Sequence, residues 1–331
     1  MTKYLHRIMA GVALSVSANA LHAASADDAL PRYQARAIAL PRSAGYVSTD
    51  GAVKVVGYND MRDMLEALTP IFTKAHPGIR FEWDLKGTRF APAALSAGAS
   101  AFAPMGAEFT PAQLAEFRRA TGEEPLAIRV AHASVDPRAL SGPLGIFVHS
   151  DNPLAALTLK QVARVFTGEA VRWGELGLTG AWADRPIRIY GVDRNLVLAQ
   201  VLKAKALDGR DFASEMRGFP QSADVVNRVG QDTSGIGFAA AMRSTTRVRA
   251  LAIASREGGQ AVAPTAESIM AGTYPLDRFL LIYVRRPISP IAREFLRLVL
   301  SSEGQAVIAA APQGYLPLHP GEAAAERAKL D

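Results

Sequence analysis

Residues 53–85 read VKVVGYNDMRDMLEALTPIFTKAHPGIRFEWDL, and this stretch decides the fold class. Residues 53–56 make a short apolar-rich run that Gly57 ends, the pattern of a buried strand with a breaker behind it. Beyond it Met61, Met64, Leu65, Leu68, Ile71 and Phe72 recur every three or four positions, which draws one apolar stripe down a helix. Pro77-Gly78 turns the chain, and Ile79, Phe81, Trp83 and Leu85 then alternate with polar residues as a half-buried strand, Trp83 facing the core. Strand, helix and strand within about 35 residues is the size of a βαβ unit.

The alternation continues outward. Thr110 with Gln113 and Thr158 with Gln161 are capping boxes, the first with Pro111 at the opening helical position, and Gly122 and Gly168 end the helices they start. Strands are expected at 126–130, 145–148, 187–190, 248–253 and 279–284, and helices near 196–206, 224–229 and from Ser289-Pro290 toward Ile308. Gly235-Ile236-Gly237-Phe238 reads as a Gly-rich turn. Interleaved strands and helices predict α/β layers with mainly parallel sheets flanked by helices.

Composition narrows the class. With 331 residues and 49% of them apolar, the chain can bury enough surface to fold, and its length favours two domains. The absence of cysteine excludes a disulfide framework, a thiolate zinc site, an iron–sulfur cluster and a cysteine nucleophile. The net charge of +6 comes from 37 basic and 31 acidic residues, interspersed. That is a mild bias toward anionic partners and not a nucleic-acid footprint.

The N-terminus reads as a targeting segment. Lys3 and Arg7 precede an apolar run at 8–16, and Ala24-Ser25-Ala26 or Ala18-Asn19-Ala20 offers a cleavage site. Residues 1–26 are therefore expected to be a signal peptide, whose loss removes two basic residues and takes the charge from +6 to +4. The run falls well short of the roughly 20 residues that span a bilayer. With no cysteine behind it to carry a lipid, the processed chain is expected to have no membrane anchor and to be periplasmic or secreted.

Enzymatic signatures are missing. His6 and His22 lie in the leader, and His76, His132, His149 and His319 are scattered singly without ligand spacing. No G-x-S-x-G elbow, S-x-x-K, Walker A loop or G-x-G-x-x-G occurs. No catalytic residue, metal site or cofactor is expected.

From Gly57 to Leu318 the order of short segments resembles the periplasmic phosphate-binding proteins of Pst-type ABC transporters, within the type II periplasmic binding-protein superfamily. The resemblance is carried by Gly57-Tyr58-Asn59-Asp60-Met61, Ala75-His76-Pro77, Gly87-Thr88, Ala103-Pro104-Met105, Asp151-Asn152-Pro153-Leu154, Trp173-Gly174-Glu175-Leu176-Gly177, Tyr190-Gly191, Gly235-Ile236-Gly237, Tyr274-Pro275-Leu276 and Gly314-Tyr315-Leu316-Pro317-Leu318. It implies a two-lobed fold with a ligand cleft between the lobes. Lobe one would comprise 50–140 plus 250–318 and lobe two 143–248, with 27–49 an extended lead-in and 319–331 a frayed tail. It also implies an oxyanion held by backbone N–H groups at helix N-termini, delivery to an ABC permease or other envelope protein, and a monomer.

The family's anion loops have diverged. Where it usually has Gly-Ser-Asp-Thr, this chain has Gly57-Tyr58-Asn59-Asp60; where it has serines after glycine, Thr88 and Arg89; where it has Pro-Met-Ser-Arg, Pro104-Met105-Gly106-Ala107. The loop that usually reads Arg-Asn-Ser-x-Ser-Gly-Thr here reads Val192-Asp193-Arg194-Asn195-Leu196-Val197-Leu198. Each hydroxyl lost from a charged ligand costs about 1.5–3 kcal/mol, so three or four losses carry a micromolar binder toward millimolar. Carried over position by position, the ligand residues are Asp60, Met61, Thr88, Arg89, Gly106, Arg194 and Asn195. Arg89 and Arg194 could clamp an anion, pair with Asp60, or point to solvent, and the loop at 134–144 either reaches over the cleft mouth or is plain surface. The ligand is then phosphate or another small anion; the alternative is a ligand-free fold acting as an envelope interaction or sensory partner.

Overall fold

A computed structural model describes residues 30–139 and 141–331, so the expected leader at 1–26 lies outside the described residues. The opening unit forms as β1 (Val53–Gly57), α1 (Arg62–Ala75) and β2 (Phe81–Leu85), with Val53 opposite Phe81 in a parallel pair. Next come α2 (Ala91–Ser96), β3 (Ala103–Met105), α3 (Pro111–Thr121) and β4 (Leu126–His132). The chain then crosses to a second lobe with β5 (Leu144–His149), β6 (Ala156–Thr158), α4 (Leu159–Phe166), β7 (Arg188–Val192), α5 (Val197–Ala206) and β8 (Arg217–Phe219). α6 (Ser222–Val229), β9 (Gly235–Ala240), β10 (Val248–Ala250), β11 (Ala252–Ala254) and α7 (Ala266–Met270) complete that lobe. β12 (Phe279–Val284), α8 (Pro290–Val299), α9 (Ser302–Ala309) and α10 (Pro320–Ala328) return to the first.

The sheets are mixed rather than mainly parallel. The second lobe carries the order β10-β5-β9-β7-β8, and the first carries β3-β12-β4 beside the β1-β2 pair. Every antiparallel ladder involves β5 or β12, the two strands that enter a lobe from a crossover. The parallel pairs of the second lobe's main sheet are β7 with β8, joined through α5, and β7 with β9.

Each lobe has its own core. In the first, Phe102 stacks on Phe295 at 4.9 Å, and Trp83 stacks on Phe81 against the same cluster. In the second, Phe238 stacks on Phe212 and meets Phe166 edge-on. Leu251, Ile253, Ile269, Tyr274 and Leu276 pack into this second core, so the return to lobe one comes at Asp277-Arg278 and not near 250. The pairing of β11 with β6 holds 252–254 there.

Local expectations fare unevenly. Both capping boxes form, Thr110 accepting from the Gln113 N–H and Thr158 from that of Gln161. The 235–238 segment is no turn: it is a central strand, and a Cβ on Gly237 would meet Val229 Cγ2 at 2.8 Å. Glycine there lets α6 press against the sheet. The helix expected from Ser289 to Ile308 breaks at Ser301, whose hydroxyl caps α9 by accepting from the Gly304 N–H at 3.1 Å. The expected strand at 248–253 likewise divides at Leu251 into β10 and β11. The lead-in docks on lobe one, with the Tyr33 N–H donating to Glu303 at 2.8 Å and the Tyr33 hydroxyl to Glu294 at 2.8 Å.

The frayed tail is also overturned. Residues 320–328 form α10, which buries Ala323 and is followed by the buried Leu330. Its anchor is polar: Glu322 meets His132 Nε2 at 2.8 Å, and Asp277 meets Nδ1 at 2.6 Å. Burial alone would depress the His132 imidazole, but the two carboxylates outweigh it and raise its pKa. A raised folded value stabilises fully below the unfolded value of about 6.5 and is lost as pH climbs through the folded one. The thermal-midpoint gap between wild type and His132→Gln should therefore be widest below about pH 6.5 and narrow steadily at higher pH. A gap that widens toward alkaline pH would contradict this anchor. In lobe one, Phe295→Ala should lower the unfolding free energy by about 3–5 kcal/mol, read from denaturant midpoints.

Candidate functional site

A cleft of about 450 Å³ lies where the lobes face each other. Two helices open into it. α5 starts after Leu196 and α6 after Gln221, neither with a side-chain cap, and Val197, Leu198, Ser222 and Ala223 line the cleft. First-turn N–H groups have no partner within their own helix, and the helix dipole places about half a positive charge there. The Ser222 hydroxyl accepts from the Ala240 N–H at 3.2 Å, which leaves its own proton free to donate.

Two arginines line the same space. Arg278, only 6% exposed, donates to the Gly106 carbonyl at 2.6 Å and the Gly142 carbonyl at 3.1 Å. Burial lowers its pKa, and nearby Tyr58, Glu108, Tyr315 and Asp277 work against that. Arg243 is half-buried and follows β9; its guanidinium makes no hydrogen bond or ion pair among the described residues. Tyr58 completes this wall, its hydroxyl 3.0 Å from that of Ser141 and its pKa pushed up to about 12 by burial.

The profile of the PBP superfamily domain matches residues 42–303. The phosphate-binding protein PstS of Pseudomonas aeruginosa PAO1 is 34% identical over 332 residues, covering 95% of each chain. The chain belongs to the PstS family of phosphate-binding proteins. PstS of Bacillus subtilis 168 is 27% identical over 190 residues, covering 57% of this chain and 59% of its own. In fold, the chain is similar to an ABC-type phosphate transport receptor from Vibrio cholerae, with a TM-score of 0.57 at 17% identity over 80% of this chain and 99% of that one. PstS from Borrelia burgdorferi gives a TM-score of 0.56 at 16% identity, covering 81% and 98%. These relatives are binding proteins and not enzymes.

Of the seven residues carried over by position, the cleft is lined by Thr88 and Gly106. Met61 is fully buried in the lobe-one core, and its N–H is bonded to the Tyr58 carbonyl. Asp60 accepts the Tyr315 hydroxyl and is not among the residues that line the cleft. Arg89 lies exposed over the Phe90 ring at 4.5 Å. Arg194 donates to the carbonyls of Ala213 at 2.7 Å and Ser214 at 3.2 Å, stapling a lobe-two loop. Asn195 lines a neighboring cavity. The arginines that line the cleft are Arg243 and Arg278, which no quoted segment included; Arg278 lies just beyond Tyr274-Pro275-Leu276. The 134–144 loop does reach the cleft, through Ala139 and the Ser141 hydroxyl.

Two of the diverged loops are coupled. A Cβ on Gly106 would meet Tyr58 Cδ1 at 2.8 Å and the Ser141 hydroxyl at 2.9 Å, so the tyrosine ring occupies the space of a side chain at 106. Gly106→Ser alone should cost about 1–3 kcal/mol through overcrowding. With Tyr58→Ser added, the double variant should be more stable than the two separate losses predict, as read from a double-mutant cycle of unfolding free energies. Simple additivity would show that the two positions do not share space.

Proposed function

We propose that this protein is exported, binds phosphate in the cleft between its lobes, and delivers it to an ABC-type permease of the envelope. The observation that carries the reading is Arg243, an uncommitted guanidinium in the same cleft as two uncapped helix N-termini. A guanidinium, free N–H donors and the hydroxyls of Thr88 and Ser222 make a coordination set for a tetrahedral oxyanion. Arg278 adds fixed positive charge behind them. The 34% identity with a protein named for phosphate binding supports phosphate, and the permease step rests on the same kinship. The expected leader supports export to the periplasm, and a monomer suffices because one chain supplies both walls. The ligand-free alternative is disfavored by Arg243, since a cleft without ligand gains nothing from an unpaired cation.

Asp224, in the first turn of α6, also lines the cleft. Its carboxylate can accept a hydrogen bond from the hydroxyl of hydrogen phosphate, whereas sulfate carries no proton to donate at neutral pH. Calorimetry of the dialyzed protein should show phosphate binding, with sulfate weaker. Arg243→Ala should weaken phosphate by about 10- to 100-fold, the loss of one or more hydrogen bonds to charge, while Arg89→Ala should leave it unchanged. Asp224→Asn should narrow the preference over sulfate. No heat with phosphate at millimolar concentration would overturn the proposal.

A further inference from the structure

We infer that the preferred ligand is an organic phosphate, its phosphoryl group beside Arg243 and its organic substituent in a second chamber of the same cleft. The inference rests on the phosphate reading above and names the ligand class of that site. The second chamber, about 500 Å³, lies between residues 107–111 of lobe one and the face of α5 in lobe two, and Ala107 and Val197 line both chambers. Inorganic phosphate has five heavy atoms, whereas each chamber has the volume of sites that enclose far larger organic ligands.

The lining has the matching chemistry. Leu196 and Val197, at the start of α5, remain 37% and 42% exposed, although large apolar side chains elsewhere in the described chain are mostly covered. They face a cleft in which an inorganic oxyanion would give them nothing to pack against. Phe109, Val201 and Ala204 extend the apolar wall into the second chamber. At its side stands Lys205, partly buried, with no hydrogen bond or ion pair among the described residues. Burial lowers its pKa, with Glu108 and Asp277 opposing. An ammonium so placed can receive an acidic group at the far end of the substituent.

The test compares inorganic phosphate, phenyl phosphate and 4-carboxyphenyl phosphate by calorimetry on the full purified protein. Phenyl phosphate should bind about tenfold more tightly than inorganic phosphate, from burial of the ring. The carboxylated ester should gain about another fivefold. Lys205→Met should erase that last gain and leave inorganic phosphate unchanged. Ala204→Trp, which fills the second chamber from an exposed helix position, should reduce both esters to the affinity of inorganic phosphate. Inorganic phosphate binding more tightly than both esters, or esters indifferent to Ala204→Trp, overturns the inference while leaving the phosphate reading intact. Heat from none of the three overturns both.

Discussion

The cleft depends on one buried cation. Arg278 sits at the return crossover and donates to carbonyls from two other segments, Gly106 after β3 and Gly142 before β5. Among the described residues no carboxylate pairs with its guanidinium, so the carbonyl bonds offset a desolvation cost of several kcal/mol. The same residue's N–H is held by Asp277 at 2.6 Å, Asp277 holds His132, and His132 holds Glu322 of α10. A continuous hydrogen-bonded chain therefore runs from the cleft wall through the return crossover to the C-terminal helix.

That constraint explains how the proposed site can form although the anion-loop side chains differ from the family pattern. Backbone N–H groups at helix starts do not depend on residue type, so α5 and α6 present donors even where the lining is Leu196, Val197 and Leu198. The positive charge in the cleft wall comes from Arg243 and Arg278. What apolar residues at α5 alter is the company the anion keeps, since donors from the backbone now stand beside surface that water covers poorly.

The opening strand, helix and strand were legible because each carries a strong period and a clear breaker, and both Thr/Gln capping boxes were legible because the chemistry is local. Other features depend on distant partners. Gly235 and Gly237 look like a turn until Tyr190, Val225 and Val229 are seen packed against them. Residues 251–276 look like part of the return to lobe one, yet their core partners lie in lobe two. α10 lacks an apolar stripe and is held by Glu322 on His132, a contact 190 residues away in sequence.

Why Thr88 and Gly106 line the cleft while Asp60, Met61, Arg89 and Arg194 do not has a sharper reason. Reading a diverged loop position by position assumes that each side chain acts in its own space, and Tyr58 and Gly106 do not. The tyrosine projects from one loop into the volume that belongs to another, so a loss in one loop and a gain in the other are a single packing event. Arg194 fails differently: its guanidinium finds four carbonyls of its own lobe between Phe212 and Met216, and a cation already satisfied has little left to give a ligand. In a diverged binding protein, a charged residue that has found no internal partner is thus a better guide to the site than one that occupies the aligned position.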